Sequence, residues 1–493
     1  MCVMAEQTPD APPTEDSGPD LRELNLTLDL CLRIGELLLS SGAGAADVTV
    51  SMRAVAHHLG IANPEIDVTF TSLSMATQPD PAELPLVLIR QVKQRDIDYE
   101  DLTAVDHLIR DLLEGRVDLY TARTRMATIV STPHPVPRWM VTLGYGVMCG
   151  SVALFLGGNA AVVLMAFLAA CLIDRIQSGL ARARLPQFYV QVAGGAVATL
   201  FAVGAAASSL EVDPSLVVTA NIIMLLAGIG FMGALQDALT GFYVTGGARV
   251  MEAMLATAGI IAGVSAGLTI GDLVGVDVGR LEPGRVSLEG LGVMVVGAAV
   301  CAAAFAFACY APKRSLLPIA LVAAVAAGID RAMGLAGFAR PWAAGAAALV
   351  IGLVAYAVAG RFRVPPLVIV VPGIVPLLPG LSIYRGLSLL AAGGQQTSAG
   401  LLALVTAASV ATSLAAGVIL GEWVAQPLKR EARRLENRLS GPRLVGPAKI
   451  RRSNAEEREA RRRLRREERA NRAGRRGSRS GVSGGGGPGG DRA

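Results

Sequence analysis

Asp237 and Arg385 are ionisable residues set just beyond two apolar stretches that glycine and proline interrupt, LLAGIGFMGALQDALTG at 225–241 and VVPGIVPLLPGLSIYRG at 370–386. Aligning Gly228 on Gly373 sets Gly241 on Gly386 and brings Gly233 beside the Leu378–Gly380 turn, at an offset of 145 residues. The chemistry this suits is reversible binding of a small polar solute or ion. In hydrocarbon an unwound backbone is tolerated only where it is buried in protein or lines a cavity, and its freed N–H and C=O groups then become ligands. Asp237, with Gln236, falls about ten residues past the first break, and Tyr384 and Arg385 occupy the corresponding place past the second, while Thr219 and Asn221 stand on the approach to the first. Two readings of Asp237 and Arg385 remain open: they approach each other across a pseudo-symmetry axis, or each caps a span end at the interface. Glu252 reads either as a proton-relay carboxylate or as half of a local pair with Arg249. Asp174–Arg175 and Asp330–Arg331 read as interface residues at span ends.

Bond-making chemistry finds no comparable constellation. His57 and His58 sit together in a segment with helical spacing, His107 and His134 stand apart, and HExxH, CxxC, GxSxG and Walker A sequences are all absent. The histidines read as surface or capping residues. The six cysteines (Cys2, Cys31, Cys149, Cys171, Cys301, Cys309) lack metal-site spacing, and the last four read as small buried hydrophobes. No catalytic residue, metal or cofactor is expected, and ATP-driven transport is disfavoured.

The elements that must hold these residues are membrane spans. The chain of 493 residues is 52% hydrophobic and only 17% charged, with its apolar residues concentrated between about 139 and 424. Stretches such as PWAAGAAALVIGLVAYAVAG (341–360) are apolar on every face, which a soluble amphipathic helix is not. Ten spans are expected, centred near residues 148, 167, 198, 226, 260, 300, 322, 350, 375 and 410. The polar connection 272–287 divides them into two five-span halves, 136–271 and 288–427. A repeated unit with an odd number of spans must re-enter the membrane in the opposite sense, so the halves are expected as inverted repeats. With the N-terminal region inside, eight Lys/Arg fall in the inner connections and five in the outer ones, which favours both termini in the cytoplasm.

Ahead of the spans, residues 1–20 are acidic and proline-rich, and read as a disordered leader. Residues 21–135 read as a small cytoplasmic α+β domain. Helices are expected at 21–41 and 45–59, ended by Gly42 and Gly60, then strands at 66–76 and 85–92, then two amphipathic helices over 99–130 broken near Gly115. A rival reading makes this region a membrane-tethered enzyme or regulatory module with the spans as its anchor. The tail, 428–493, holds 21 Lys/Arg against 8 Asp/Glu and so carries the excess positive charge of a chain whose net charge is +5. It reads as largely disordered, with a polybasic stretch (429–438) suited to anionic membrane lipid. Aromatic residues do not interleave its arginines, so nucleic acid is not an expected partner.

The helix ending SSGAGAADV, the HHLG that follows it, LFLGGNAAVVLMAFLAACL, the DPSLVVTANIIMLLAGIGFMGALQDALTGFYVTGGARVMEAMLA run and VPGIVPLLPGLSIYRGL together resemble the threonine/serine exporter family over roughly residues 24–427. The resemblance implies a cytosolic N-terminal domain, ten spans in two related halves, and proton-driven secondary export of small hydroxyl-bearing amino acids. It carries the family's motif onto Asp237, Gly241, Gly247 and Arg249 in the first half. In the second half it falls on Pro372, Gly373, Pro379, Gly380, Tyr384, Arg385 and Gly386. One departure is Ala227 before Gly228, where the family has Pro-Gly, and this weakens the expected first kink. The architecture also resembles small dicarboxylate exporters, so the runner-up substrate is succinate-like. The substrate/ion site expected is Asp237, Gly228, Gly241, Asn221, Pro372, Gly373, Pro379, Gly380, Tyr384 and Arg385, with break N–H groups on a substrate carboxylate, Asp237 or carbonyls on its ammonium, and Tyr384 or Asn221 on its hydroxyl. The partners expected are threonine or serine, protons and membrane lipid, with a homo-oligomer left open.

Overall fold

The computed structural model describes residues 21–78, 84–92, 97–207, 212–225, 228–276, 291–392 and 396–439. The leader 1–20, Ala227, most of the connection 272–287 and the tail beyond 439 lie outside the described residues.

Four helices and a small sheet come first. Helix α1 (Leu21–Ser40) buries Leu24, Leu28, Cys31 and Leu38 on one face and stops where Gly42 takes φ +94°. Ala43 N–H then donates to Leu38 C=O, closing the helix end. Helix α2 (Ala45–His58) ends in the same way at Gly60, with φ +97°. The sheet is an antiparallel meander of β1 (Glu65–Val68), β2 (Ser72–Thr77) and β3 (Leu86–Gln91). One strand was expected over 66–76, and two are found. Thr69 and Ser72 exchange backbone and side-chain hydrogen bonds (Thr69 N–H to Ser72 C=O 2.9 Å), which folds the chain back into a hairpin that pairs Glu65 with Ala76. Helices α3 (Tyr99–Leu113) and α4 (Leu119–Ser131) follow, and Asp98 caps α3 through the N–H groups of Glu100 and Asp101.

Twelve further helices make up the apolar part. They are α5 (Arg138–Phe155), α6 (Ala160–Arg182), α7 (Gln187–Ala206), α8 (Pro214–Leu225), α9 (Gly228–Leu239) and α10 (Tyr243–Val274). The second group is α11 (Leu291–Ala308), α12 (Lys313–Leu335), α13 (Arg340–Phe362), α14 (Leu367–Ile374), α15 (Gly380–Ala392) and α16 (Thr397–Leu439). A 3₁₀ turn, Val375–Leu377, sits between α14 and α15. Among the described residues, seven helices are long and apolar enough to cross a membrane, or nine if each bent pair counts as one span. The bent pairs are α8 with α9, whose axes differ by 42°, and α14 with α15, which differ by 49°. The first pair bends nearly as much as the second although no proline precedes Gly228. Helix α11, at the place of the sixth expected span, is apolar but shorter, and residues just before it lie outside the described residues.

Packing repeats between the two groups. On α10, Gly259, Gly263, Gly267 and Gly271 stand four apart and face α7. A Cβ at Gly263 would lie 2.1 Å from Val192 O, and one at Gly259 would lie 2.6 Å from Phe188 O. On α16, Cβ atoms at Gly417 and Gly421 would each lie 2.4 Å from a carbonyl of α13, that of Gly345 or Leu349. Both crossings are backbone against backbone, the close approach that small residues permit between apolar helices.

The N-terminal elements and the apolar helices form one compact unit ending at Gln426. Within this unit, Tyr99 N–H donates to Cys309 C=O (2.9 Å), the His134 ring stacks on Tyr310, and His107 bonds Arg363 C=O (3.0 Å). The sheet and α1–α4 therefore cover the end of the bundle where α11 and α13 finish and α12 begins.

Candidate functional site

Two polar centres occupy opposite ends of this bundle. The first is built on α9 and α10. After Leu239 the chain reverses through Gly241, whose φ of +96° suits glycine, and Phe242 N–H closes the turn on Asp237 C=O at 2.8 Å. The reversal lays α10 back along α9, so that Arg249 meets Asp237 at 2.8 Å with both side chains buried. A Cβ at Gly246 would lie 2.7 Å from Ala234 O, so the two helices can approach this closely only with glycine there.

The α1–α2 turn fits over this pair. Ala45 N–H, at the start of α2, donates to Asp237 Oδ1 (2.8 Å), and Arg249 Nη2 donates to Ala43 C=O (3.2 Å). Thr245 Oγ1 reaches Val68 C=O (3.0 Å), adding a contact from β1. The Asp237 carboxylate thus meets a guanidinium and the backbone N–H at a helix N-terminus. Asp47, in the first turn of α2, is exposed to water but has protein packed closely around it. Burial, and then the negative charge of Asp237, push its carboxyl above the ordinary carboxylate range. Tyr356 and Glu422, from α13 and α16, lie within electrostatic reach of Asp47.

The second centre is a cavity of about 420 Å³. Both broken segments wall it: Ile223 and Met224 come from the end of α8, and Val375, Pro376, Leu378 and Gly380 come from the second break. The packing of α15 on α8 and α10 is what brings the breaks together. Much of the remaining wall is apolar, including Met148, Phe155 and Phe305, and its charged lining residues are Asp330, Arg331 and Arg340. The volume suits a small metabolite, and a mainly apolar wall with few placed polar groups is usual for a ligand pocket. Asn221, fully buried one turn before Met224, donates from Nδ2 to Val217 C=O (2.9 Å), and its Oδ1 has no hydrogen-bond partner among the described residues.

The expected site residues are therefore divided between places. Gly380 lines the cavity, Pro379 immediately precedes it, and Tyr384 is buried one turn further along α15. Pro372 and Gly373 lie buried in α14, with Gly373 against Ile351 and Val322. Gly228 opens α9, and Gly241 makes the reversal that presents Asp237. The structure pairs Asp237 with Arg249, whereas Arg385 is exposed. The reason is local: a tight turn brings a cation from the next helix to Asp237, and nothing comparable carries Arg385 there.

The two Asp-Arg dipeptides at span ends have different surroundings. Asp174 is buried, bonded by Arg138 (2.6 Å) and Thr142 (2.7 Å) across α5 and α6. Asp330 and Arg331 line the cavity. Their position near helix ends is legible in the sequence, but the side they face depends on neighbouring helices. Asp47 and Arg340 have no site role in the sequence reading, where Arg340 is one of the five outer-connection cations. The only sequence trace of Asp47 is its place just after SSGAGAA.

A multi-pass helical bundle holding a cavity between two interrupted helices defines a membrane transport protein. The chain belongs to the threonine/serine exporter family. Residues 29–271 match the family model described as "Putative threonine/serine exporter" and residues 294–424 match that described as "Threonine/Serine exporter, ThrE". It is 34% identical over 442 residues to the "Probable threonine/serine exporter" of Mycobacterium tuberculosis, covering 88% of this chain and 83% of that protein. It is 34% identical over 440 residues to the "Threonine/serine exporter" of Corynebacterium glutamicum, covering 86% and 88%. A more distant relative is the "Probable succinate transporter subunit YjjP" of Escherichia coli, 26% identical over 247 residues, which are 50% of this chain and 95% of that one. No solved structure matches this chain.

Proposed function

We propose that this protein is a secondary exporter of threonine, serine or similar small amino acids across the cytoplasmic membrane, coupled to protons. In this reading residues 21–135 form a cytoplasmic domain, 136–271 and 288–427 are inverted five-span repeats with α11 as one of the ten spans, and both termini are cytoplasmic. One observation carries it: the two interrupted helices wall one cavity of metabolite size. Backbone N–H and C=O groups at interrupted helices are suited to adding hydrogen bonds to the polar groups of an amino acid. Asn221, with an unpartnered buried oxygen a turn from the cavity wall, is suited to a hydroxyl. The relatives' printed names support the substrate class. Asp237 and Arg249, tied to the α1–α2 turn, are assigned to closing the cytoplasmic side and not to touching substrate from within the cavity.

The second reading, export of a small dicarboxylate, is favoured by the YjjP relative and by the two arginines lining the cavity. Counterflow by the full-length protein in proteoliposomes separates the two, with labelled threonine, serine and succinate compared and an uncoupler added to parallel efflux measurements from cells. Exchange of threonine or serine well above succinate is expected, and the reverse ranking would replace the leading reading with the second. In the same assay Asp237→Asn is expected to stop exchange while the protein still reaches the membrane. Normal exchange by that variant would remove Asp237 from the mechanism.

A further inference from the structure

Helices α6 and α12 are each 23 residues long, and each carries an Asp-Arg dipeptide toward its C-terminal end, Asp174–Arg175 and Asp330–Arg331. Their carboxylates are treated differently. Arg138, at the first position of α5, and Thr142 satisfy both oxygens of Asp174. In the second group of helices the corresponding first residues are Leu291 and Gly292, which bring no cation. Asp330 is half-buried, and among the described residues it makes no hydrogen bond and no close ion pair. The charges of Arg340 and Arg331 act on it from a distance, and all three side chains line the cavity that the breaks wall.

Asp330 and Arg331 are half-buried and Arg340 is exposed, so the opposite charges stand apart across a gap that opens to solvent and that a solute can fill. A molecule with an ammonium and a carboxylate on one carbon fills it: the ammonium lies on Asp330, and the carboxylate lies toward Arg331 and Arg340. We infer that Asp330 is the residue that recognises the substrate's ammonium group and so selects amino acids over dicarboxylates, with Arg331 and Arg340 facing the carboxylate. A dicarboxylate would set its second carboxylate against Asp330, a like-charge contact that works by exclusion. The inference rests on the exporter reading above and adds to it the residues that set specificity.

The test is threonine and succinate counterflow by the full-length wild type, Asp330→Asn and Asp330→Glu. Removing the charge leaves an ammonium without its partner, so Asp330→Asn is expected to raise the KM for threonine by about tenfold or more. Asp330→Glu is expected to retain most of the wild-type KM, and succinate should gain on threonine in Asp330→Asn. A wild-type KM for threonine in Asp330→Asn would overturn the assignment. Should that variant fail to accumulate, Gly334→Cys decides. Gly334 lines the cavity, and a Cβ there meets no atom within 4 Å, so the cysteine fits. Threonine is expected to protect it from a membrane-impermeant maleimide relative to unsubstituted protein, and labelling unchanged by saturating threonine would sink the site. If the wild type exchanges no threonine at all, the exporter reading itself fails, and that is visible without any variant.

Discussion

At the scale of single residues, position within the protein decides what each acid does. Asp174, Asp237 and Asp330 all sit in apolar helices, yet the first is tied to Arg138 and Thr142, the second to Arg249 and the α1–α2 turn, and the third faces a cavity. Asp101, in α3, shows the same dependence outside the spans. Burial, then the negative charge of Asp98, push its carboxyl up to about 6, against a smaller opposing effect of His134. Glu100 adds further repulsion, and His134 contacts both Asp98 and Glu100. Because the folded protein holds this proton more tightly than the unfolded chain, Asp101's contribution to stability is full below the ordinary aspartate value of 3.8 and is lost as pH rises to about 6. Melting of the detergent-solubilised protein should therefore show a part of its fall across that window that disappears in Asp101→Asn. An identical pH profile in the two proteins would remove Asp101 as its source.

At the scale of elements, the two glycine-mediated crossings fix the frame around the breaks. Helix α10 meets α7 along glycines four apart, and α16 meets α13 likewise. These are the third and fifth segments of each group when each bent pair is taken as one, so the packing supports the proposed repeat at a level the offset of 145 residues only suggests. At Gly263 the obstacle is the backbone oxygen of Val192, which cannot swing aside as a side-chain end would. Gly263→Ala is expected to destabilise by about 1–3 kcal/mol through overpacking. Gly179→Ala in α6, where a Cβ meets nothing within 4 Å, serves as the comparison and should be near neutral. Equal thermal stability of the two variants would show that α7 and α10 are not held this closely.

At the scale of the whole molecule, polar centres at opposite ends of one bundle suit the proposed transport, in which one end is closed while the other is open. The α1–α2 turn caps the Asp237–Arg249 pair, and the cavity with Asp330 lies toward the other end, where α12 finishes and α13 begins. Helix α12 alone, at 23 residues, is about 35 Å long, enough to separate the two across a hydrocarbon core. Under the proposed topology, Arg53→Cys on the exposed face of α2 should resist an impermeant thiol reagent in intact cells and react after permeabilisation, whereas Gly334→Cys should react in intact cells. The opposite pattern would invert the orientation and with it the direction assigned to transport.

Much of this was legible from residues alone, for reasons that are local. Uninterrupted apolar runs mark the helices because hydrocarbon rejects anything else. Gly42 and Gly60 mark helix ends because glycine takes positive φ at little cost, and the glycine and proline patterns near 228 and 373 mark the interruptions. The hairpin at Thr69–Ser72 was not legible, because side-chain hydrogen bonds and not glycine make that turn. The charged residues divided in the same way. That Asp237, Asp174 and Asp330 lie in apolar surroundings follows from the sequence, since composition fixes the surroundings of a residue in a span. Which cation each one meets or faces does not follow, because Arg138 and Arg249 are brought into contact, and Arg340 across the cavity, by turns and helix crossings that only the packed structure sets.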